Sequence, residues 1–93
     1  MILDEQQLID FFQKFPSWTL GAGELVRKIT FKDFIEAMAF VNKVAEVAEA
    51  QGHHPDIEIN YNQVTLKAST HDAGGITEQD TRLAEAIEHI MQS

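Results

Sequence analysis

Cysteine is absent from this chain of 93 residues, which removes disulfides, thiolate nucleophiles and cysteine metal ligands from consideration. Basic residues are scarce. Seven Lys and Arg stand against fifteen Asp and Glu, a net charge of -8 that repels phosphate backbones. No basic stripe with interleaved aromatics offsets this, so direct nucleic-acid binding is disfavoured. No apolar run approaches the roughly 20 residues of a membrane span. The opening MILDEQQLIDFF is acidic where a signal peptide needs basic residues. These absences together lead to the expectation of a cytoplasmic protein without a membrane segment. Low-complexity tracts and linkers are also missing, and with only two prolines and five glycines there is no sign of a fibrous or disordered composition.

What remains is an ordinary globular composition, 44% hydrophobic and 24% charged, expected to form a single domain over residues 1–93. A chain of this size buries only about 60–65% of its unfolded surface, so added stability from self-association is expected. Leu8, Phe11 and Phe12 recur at helical spacing in residues 4–13, and Pro16 ends that helix. WTL and ELVRKITF, separated by Gly21-Ala22-Gly23, form a hairpin in which Arg27 interrupts the apolar face of Leu25, Ile29 and Phe31. From Asp33 to Gln51 a long helix is predicted, with Phe34, Met38, Val41, Ala45 and Ala48 as its apolar stripe. Gly52 closes it and Pro55 forbids its continuation. IEI and VTLKAS make a second hairpin around Tyr61-Asn62-Gln63. Thr77, with Asp80 three residues on, caps a last helix from Glu78 to about Gln92, buried through Leu83, Ala86, Ile87 and Ile90. The order α-β-β-α-β-β-α implies an α+β fold: two layers, one four-stranded antiparallel sheet, and helices on one face. Two sheet edges are left, where another subunit can dock.

Three of the four histidines fall within residues 52–72, in GHHPDIEINYNQVTLKASTHD. His53 and His54 follow the C-terminal end of the long helix, which carries partial negative charge, and Glu49 lies one turn back. An imidazole in that setting is suited to donating protons. His71 lies past the end of the last strand and Asp80 in the first turn of the last helix, so all five side chains can line one pocket if those ends face the same way. Three readings stand: solvated or capping loop histidines, a zinc site, or acid and base catalysts. Adjacent histidines are awkward ligands for one tetrahedral ion, and the i, i+4 histidine pair of many zinc enzymes is missing. Ser69 shares a side with His71, but no carboxylate orienter is evident by spacing. His89, in the last helix, reads as a surface or subunit-contact residue.

Glu49, His53-His54-Pro55, Tyr61, His71 and Asp80 match, in type and spacing, the signature of the pterin-4a-carbinolamine dehydratase family. The likeness extends to Trp18, to F-K-D-F at the start of the long helix, to S-T-H-D and to G-G-I-T-E-Q-D. The chain therefore resembles that family over nearly its whole length. The resemblance implies a dehydratase that removes water from 4a-hydroxytetrahydropterin to give quinonoid dihydropterin, in tetrahydrobiopterin recycling. It implies no metal and no cofactor, a homodimer or homotetramer, and a functional link to an aromatic amino-acid hydroxylase. His53, His54, His71, Glu49 and Asp80 are the implied catalytic set, with His54 the main imidazole and His53 and His71 general acids. Pro55, Thr70, Asp72 and Trp18 join the histidines as implied pterin contacts. The same family resemblance carries a second role, that of a protein-interaction module acting as a dimerisation cofactor or in assembly. Two departures stand out: Ile57 where several relatives carry tryptophan, so that one aromatic wall is expected to be missing, and Gly52 where many carry a polar residue.

Overall fold

Asp4 opens the first helix, α1 (Glu5–Lys14), with a closed capping box: its carboxylate accepts from the Gln7 amide while the Gln7 side chain accepts from the Asp4 amide, both at 2.9 Å. A computed structural model describes residues 1–92; Ser93, the last residue of the expected domain, lies outside the described residues. Strands β1 (Thr19–Gly21) and β2 (Glu24–Thr30) follow. The turn between them is shorter than expected, since Gly21 belongs to β1 and only Ala22 and Gly23 turn the corner, with φ of 52° and 79°. Two successive left-handed residues match the right-handed twist of the flanking strands.

Helix α2 (Phe34–Gln51) is capped by the Asp33 side chain, which accepts from the Glu36 amide at 2.9 Å. Strands β3 (Asp56–Asn60) and β4 (Gln63–Ala68) form the second hairpin, and helix α3 (Glu78–Gln92) ends the described chain. The strands lie in the order β1-β2-β4-β3, all antiparallel. The second strands of the two hairpins therefore pair with each other, from Leu25 opposite Ala68 to Thr30 opposite Gln63. Strands β1 and β3 are left as edges. Val64, Leu66 and Ala68 alternate inwards and are buried against α2 and α3, while Thr65 and Lys67 point to the bare face.

The stripe by which α2 meets the sheet differs from the expected one. Ala37, Phe40, Val44 and Ala48 are buried, whereas Phe34 is 47% and Ile35 78% exposed, and Ala45 is also exposed. The helix carries apolar residues on two stripes, and periodicity alone favours the one with larger side chains. The sheet accepts the stripe whose alanines let the backbones approach. In α3 the buried set is Leu83, Ala84 and Ile87, with Ala86 only partly covered. Arg27, the interruption in β2, faces the helices after all: its Nε donates to Glu88 Oε1 of α3 at 2.8 Å, and Trp18 Nε1 donates to the same oxygen at 2.8 Å. The break in alternation is thus a satisfied ion pair at the sheet–helix seam rather than an error of register.

The second hairpin turns without glycine, on Tyr61 at φ 55°. Asn62 fixes it, donating its side-chain amide to Phe31 O at 2.9 Å and accepting the Phe31 amide on its carbonyl at 2.7 Å. A left-handed non-glycine residue costs about 1–2 kcal/mol, and glycine gives part of that back as chain entropy. Tyr61 is exposed, so Tyr61→Gly is expected to raise the unfolding free energy by about 0.5–1 kcal/mol in urea titration. A lower midpoint in the variant would show that the ring contributes packing that outweighs the strain.

Candidate active site

Three chain segments meet at one corner of the molecule: the end of α2, the end of β4 and the start of α3. Gly52 closes α2 in the left-handed conformation at φ 65°, with its amide bonded to Glu49 O and the His53 amide to Ala48 O. This closure swings the chain out of the helix at once and sets His53 and His54 beside the sheet. Beyond β4, Thr70 accepts the amides of Ala73 and Gly74 and pairs with Gly75, so that His71–Ala73 forms a single 3-10 turn. That turn, unanticipated in the sequence, holds His71 close to the strand end.

At the head of α3, Asp80 has no exposed surface and works in two directions. Its Oδ2 accepts from the Thr77 amide at 2.9 Å, the half of the capping box expected from sequence, while Thr77 Oγ1 accepts from the Gln79 amide at 3.2 Å. Its Oδ1 meets His53 Nε2 at 2.5 Å. Thr70 Oγ1 donates to Oδ2 at 2.8 Å, which leaves Thr70 to accept the Thr77 hydroxyl proton, also at 2.8 Å. Every donor in this network has a defined direction. Since the carboxylate only accepts, His53 carries hydrogen on Nε2, and Nδ1 is the ring atom left for exchange with a bound molecule.

His54 is backed differently. Its Nε2 meets Glu49 Oε2 at 2.5 Å, with side chains 60% and 77% exposed respectively. Such an exposed pair adds little to stability but fixes the ring's orientation. His71 has no ring hydrogen bond among the described residues. The three imidazoles therefore differ in support: one on a buried carboxylate, one on an exposed carboxylate, one on none.

All three line a single hollow of about 210 Å³. Glu49 and Asp80 are not part of its wall; they stand behind His54 and His53. The hollow also includes Glu24, Asp56, Lys67 and Ser69, which sequence reasoning did not assign to the site. The usable signal was alternation: Lys67 lies on the bare face of β4, and Ser69, two residues on and just past the strand end, keeps to the same side. Ser69 Oγ donates to Glu24 Oε2 at 3.4 Å, so this serine does have a carboxylate partner, supplied by β2 rather than by a neighbour in sequence.

Other expected contacts fall elsewhere. Trp18 is 2% exposed, sits in the core edge-on to Phe11 and bonds to Glu88, so it does not reach the hollow. An indole with a buried N–H needs an internal acceptor, and Glu88 is that acceptor. Thr70 and Asp72 border a separate cavity of about 540 Å³ beside Met1, Ile2 and Leu3. The Thr70 hydroxyl is already committed to Asp80. Pro55 is partly covered and does not border the hollow. His89 is exposed on α3, away from the other three. Among the described residues no three His, Asp or Glu side chains are placed to share one metal ion, and no helix is long and apolar enough to cross a membrane.

The sequence model of the family described as "Pterin 4 alpha carbinolamine dehydratase" matches residues 1–90. A protein of Acidobacterium capsulatum named "Putative pterin-4-alpha-carbinolamine dehydratase" is 59% identical over 76 residues, covering 82% of this chain and 83% of its own. One of the same name from Thermomicrobium roseum is 50% identical over 88 residues, covering 95% of each chain. Among solved structures, the transcriptional coactivator/pterin dehydratase from Brucella melitensis superposes with a TM-score of 0.91 at 29% identity, over 97% of this chain and 98% of that one.

The Asp80 network gives a test independent of any substrate. Thr70→Val removes one donor from a buried carboxylate while keeping the side chain's shape, and is expected to cost about 1.5–3 kcal/mol of stability in urea titration. A loss below about 0.5 kcal/mol would show that water or another donor replaces the hydroxyl without penalty.

Proposed function

The chain belongs to the pterin-4a-carbinolamine dehydratase family, and from that premise we propose that it dehydrates a 4a-hydroxytetrahydropterin to the quinonoid dihydropterin by histidine acid and base catalysis. The observation that carries this reading is the convergence of His53, His54 and His71 on one hollow, each with a different carboxylate environment.

The reaction needs little else. The bond from C4a to oxygen breaks, the departing oxygen takes up a proton and leaves as water, and the proton on N5 is lost while its electron pair forms the C4a=N5 double bond. Nothing is oxidised or reduced, and no covalent intermediate with the protein is required. Hydroxide leaves poorly, so an acid must reach the oxygen as the bond lengthens. His53 and His71, on separate elements, approach from different sides of the ring, so each serves the C4a configuration whose oxygen lies on its own side. His54 takes the N5 proton, and Glu49 behind it stabilises the cation it becomes. Groups of this kind supply about 10²–10⁴-fold each. Asp80 acts through His53, holding its tautomer, and does not meet the pterin.

The wider setting follows from the chemistry of the substrate. A 4a-hydroxytetrahydropterin arises when a pterin-dependent hydroxylase delivers one atom of dioxygen, so an aromatic amino-acid hydroxylase is the proposed source, tetrahydrobiopterin the proposed parent pterin and the cytoplasm the proposed compartment. The exposed Phe34 and Ile35 on α2 support assembly as a homodimer or homotetramer. The Brucella melitensis protein is called a transcriptional coactivator as well as a pterin dehydratase, and an interaction role for this chain is the second reading. The intact set of imidazoles favours catalysis over it.

His54→Ala is expected to lower the catalysed rate by about 10²–10⁴-fold in a stopped-flow assay of carbinolamine breakdown, with the far-ultraviolet circular dichroism unchanged. Turnover equal to that of the unaltered protein would remove the assignment. A stoichiometric protein partner retained by the same variant would then favour the interaction reading.

A further inference from the structure

Among the described residues a carboxylate fixes the ring of His53 and another that of His54, but none fixes the ring of His71, whose direction is therefore set by the backbone that carries it. That backbone, the 3-10 turn His71–Ala73, has no buried residue to anchor it in the core, and its Asp72 and Ala73 border the cavity of about 540 Å³. The turn is closed by a bridge between Thr70 and Gly75, in which the Thr70 amide donates to Gly75 O at 2.8 Å. Against this bridge lies the segment Met1–Leu3. The Leu3 amide donates to Ile76 O at 2.9 Å, and the Ile2 side chain rests on Gly75: a Cβ added there would have Ile2 Cδ1 at 3.3 Å, and Cγ1 and Cγ2 at 3.5 Å, as its three nearest neighbours. Gly75 is not in the left-handed conformation, so what it supplies is room for Ile2. Leu3 packs on the core, and the Asp4 capping box fixes the chain directly after it.

Resting on the dehydratase reading, we infer that Met1–Leu3 is a strap that positions His71, with Ile2 and Gly75 as the pair through which it acts. The strap is anchored by Leu3 and holds the closing residues of the turn in place from outside. Because the His71 ring is untethered, slack in the turn becomes displacement of the imidazole, and a misplacement of about 1 Å can cost about 10²-fold in rate. His53 is insulated from the same slack. Its ring meets Asp80 Oδ1, whereas Thr70, the residue paired with Gly75, donates to Oδ2, and the Thr77 amide holds that oxygen as well. The strap therefore bears on one of the two acids. Since these approach the ring from different sides, a slack strap penalises one C4a configuration and spares the other. A segment that merely added stability would affect both alike.

The test uses the full chain and the two C4a epimers of 4a-hydroxy-6-methyltetrahydropterin, with stopped-flow rates for the unaltered protein, His71→Gln, Ile2→Gly and Gly75→Val. His71→Gln identifies the epimer that this residue serves, by the larger fall in kcat. Ile2→Gly removes the side chain from the strap, and Gly75→Val displaces it from the other side of the contact. Ile2 is half exposed, so its removal leaves the core intact, and matched circular dichroism spectra check both variants. Both are expected to lower kcat for the His71 epimer by about five- to twentyfold, short of the loss of about 10²–10⁴-fold for an acid removed outright, with KM unchanged and the other epimer altered by less than about twofold. A fall shared equally by the two epimers, a fall confined to the other one, or none in either variant would each overturn the inference while leaving the dehydratase reading in place. Equal effects of His71→Gln on the two epimers would overturn the division of sides, and the inference with it. Acceleration of neither epimer by the unaltered protein would overturn the dehydratase reading itself.

Discussion

A carboxylate sealed from water has to be given donors, and much of this molecule's functional corner is arranged around that necessity at Asp80. Left unpaired, such a group would cost about 3–5 kcal/mol. It is instead met by the Thr77 amide, the Thr70 hydroxyl and the His53 ring, which come from the head of α3, the end of β4 and the end of α2. One side chain therefore stitches together three segments, the end of α2 reaching it from 27 positions away. The hydrophobic core brings these segments near one another; Leu66, Val44 and Leu83, all without exposed surface, do that part. Packing alone leaves a ring such as His53 free to rotate. The buried carboxylate removes that freedom, and with it the ambiguity over which nitrogen carries hydrogen.

The remaining imidazoles gain meaning by contrast. His54 rests on an exposed glutamate and can exchange protons with solvent through it, while His71 stands on a 3-10 turn with no ring hydrogen bond among the described residues. Two of the three rings each give one nitrogen to a separate carboxylate and leave the other for a bound molecule. That geometry suits a reaction in which protons are given on one side of a small ring and taken on another.

Much of this corner was legible before any coordinates. Gly52 and Pro55 state where α2 must stop, and that stop is what places His53 and His54. Thr77 and Asp80 announce the start of α3 through their capping pattern. Asp80's second role, positioning a histidine, came from the family resemblance, because pairing across 27 positions leaves no periodic trace. The same reason hid Glu24, whose contact with Ser69 spans 45 positions, and Glu88, whose hold on Trp18 spans 70. The indole of Trp18 shows the same limit, since its N–H partner is set by the fold and not by sequence spacing. The α2 stripe failed differently. Two apolar faces on one helix are equivalent to a periodicity argument; they share Ala48, and the burial of Ala37, Phe40 and Val44 is what separates them.

The central claim is that Asp80, buried and acting through His53, sets up the proton transfer. The most direct measurement is the ratio of catalysed dehydration rates for the unaltered protein and Asp80→Asn, taken on metal-stripped samples whose circular dichroism spectra match. The asparagine keeps the size of the side chain but presents an amide where the ring requires a carboxylate. A fall of about tenfold or more in kcat is predicted, a loss of acid–base efficiency rather than of binding. Equal kcat in the two proteins, or activity in either that returns only with added zinc, would contradict the account.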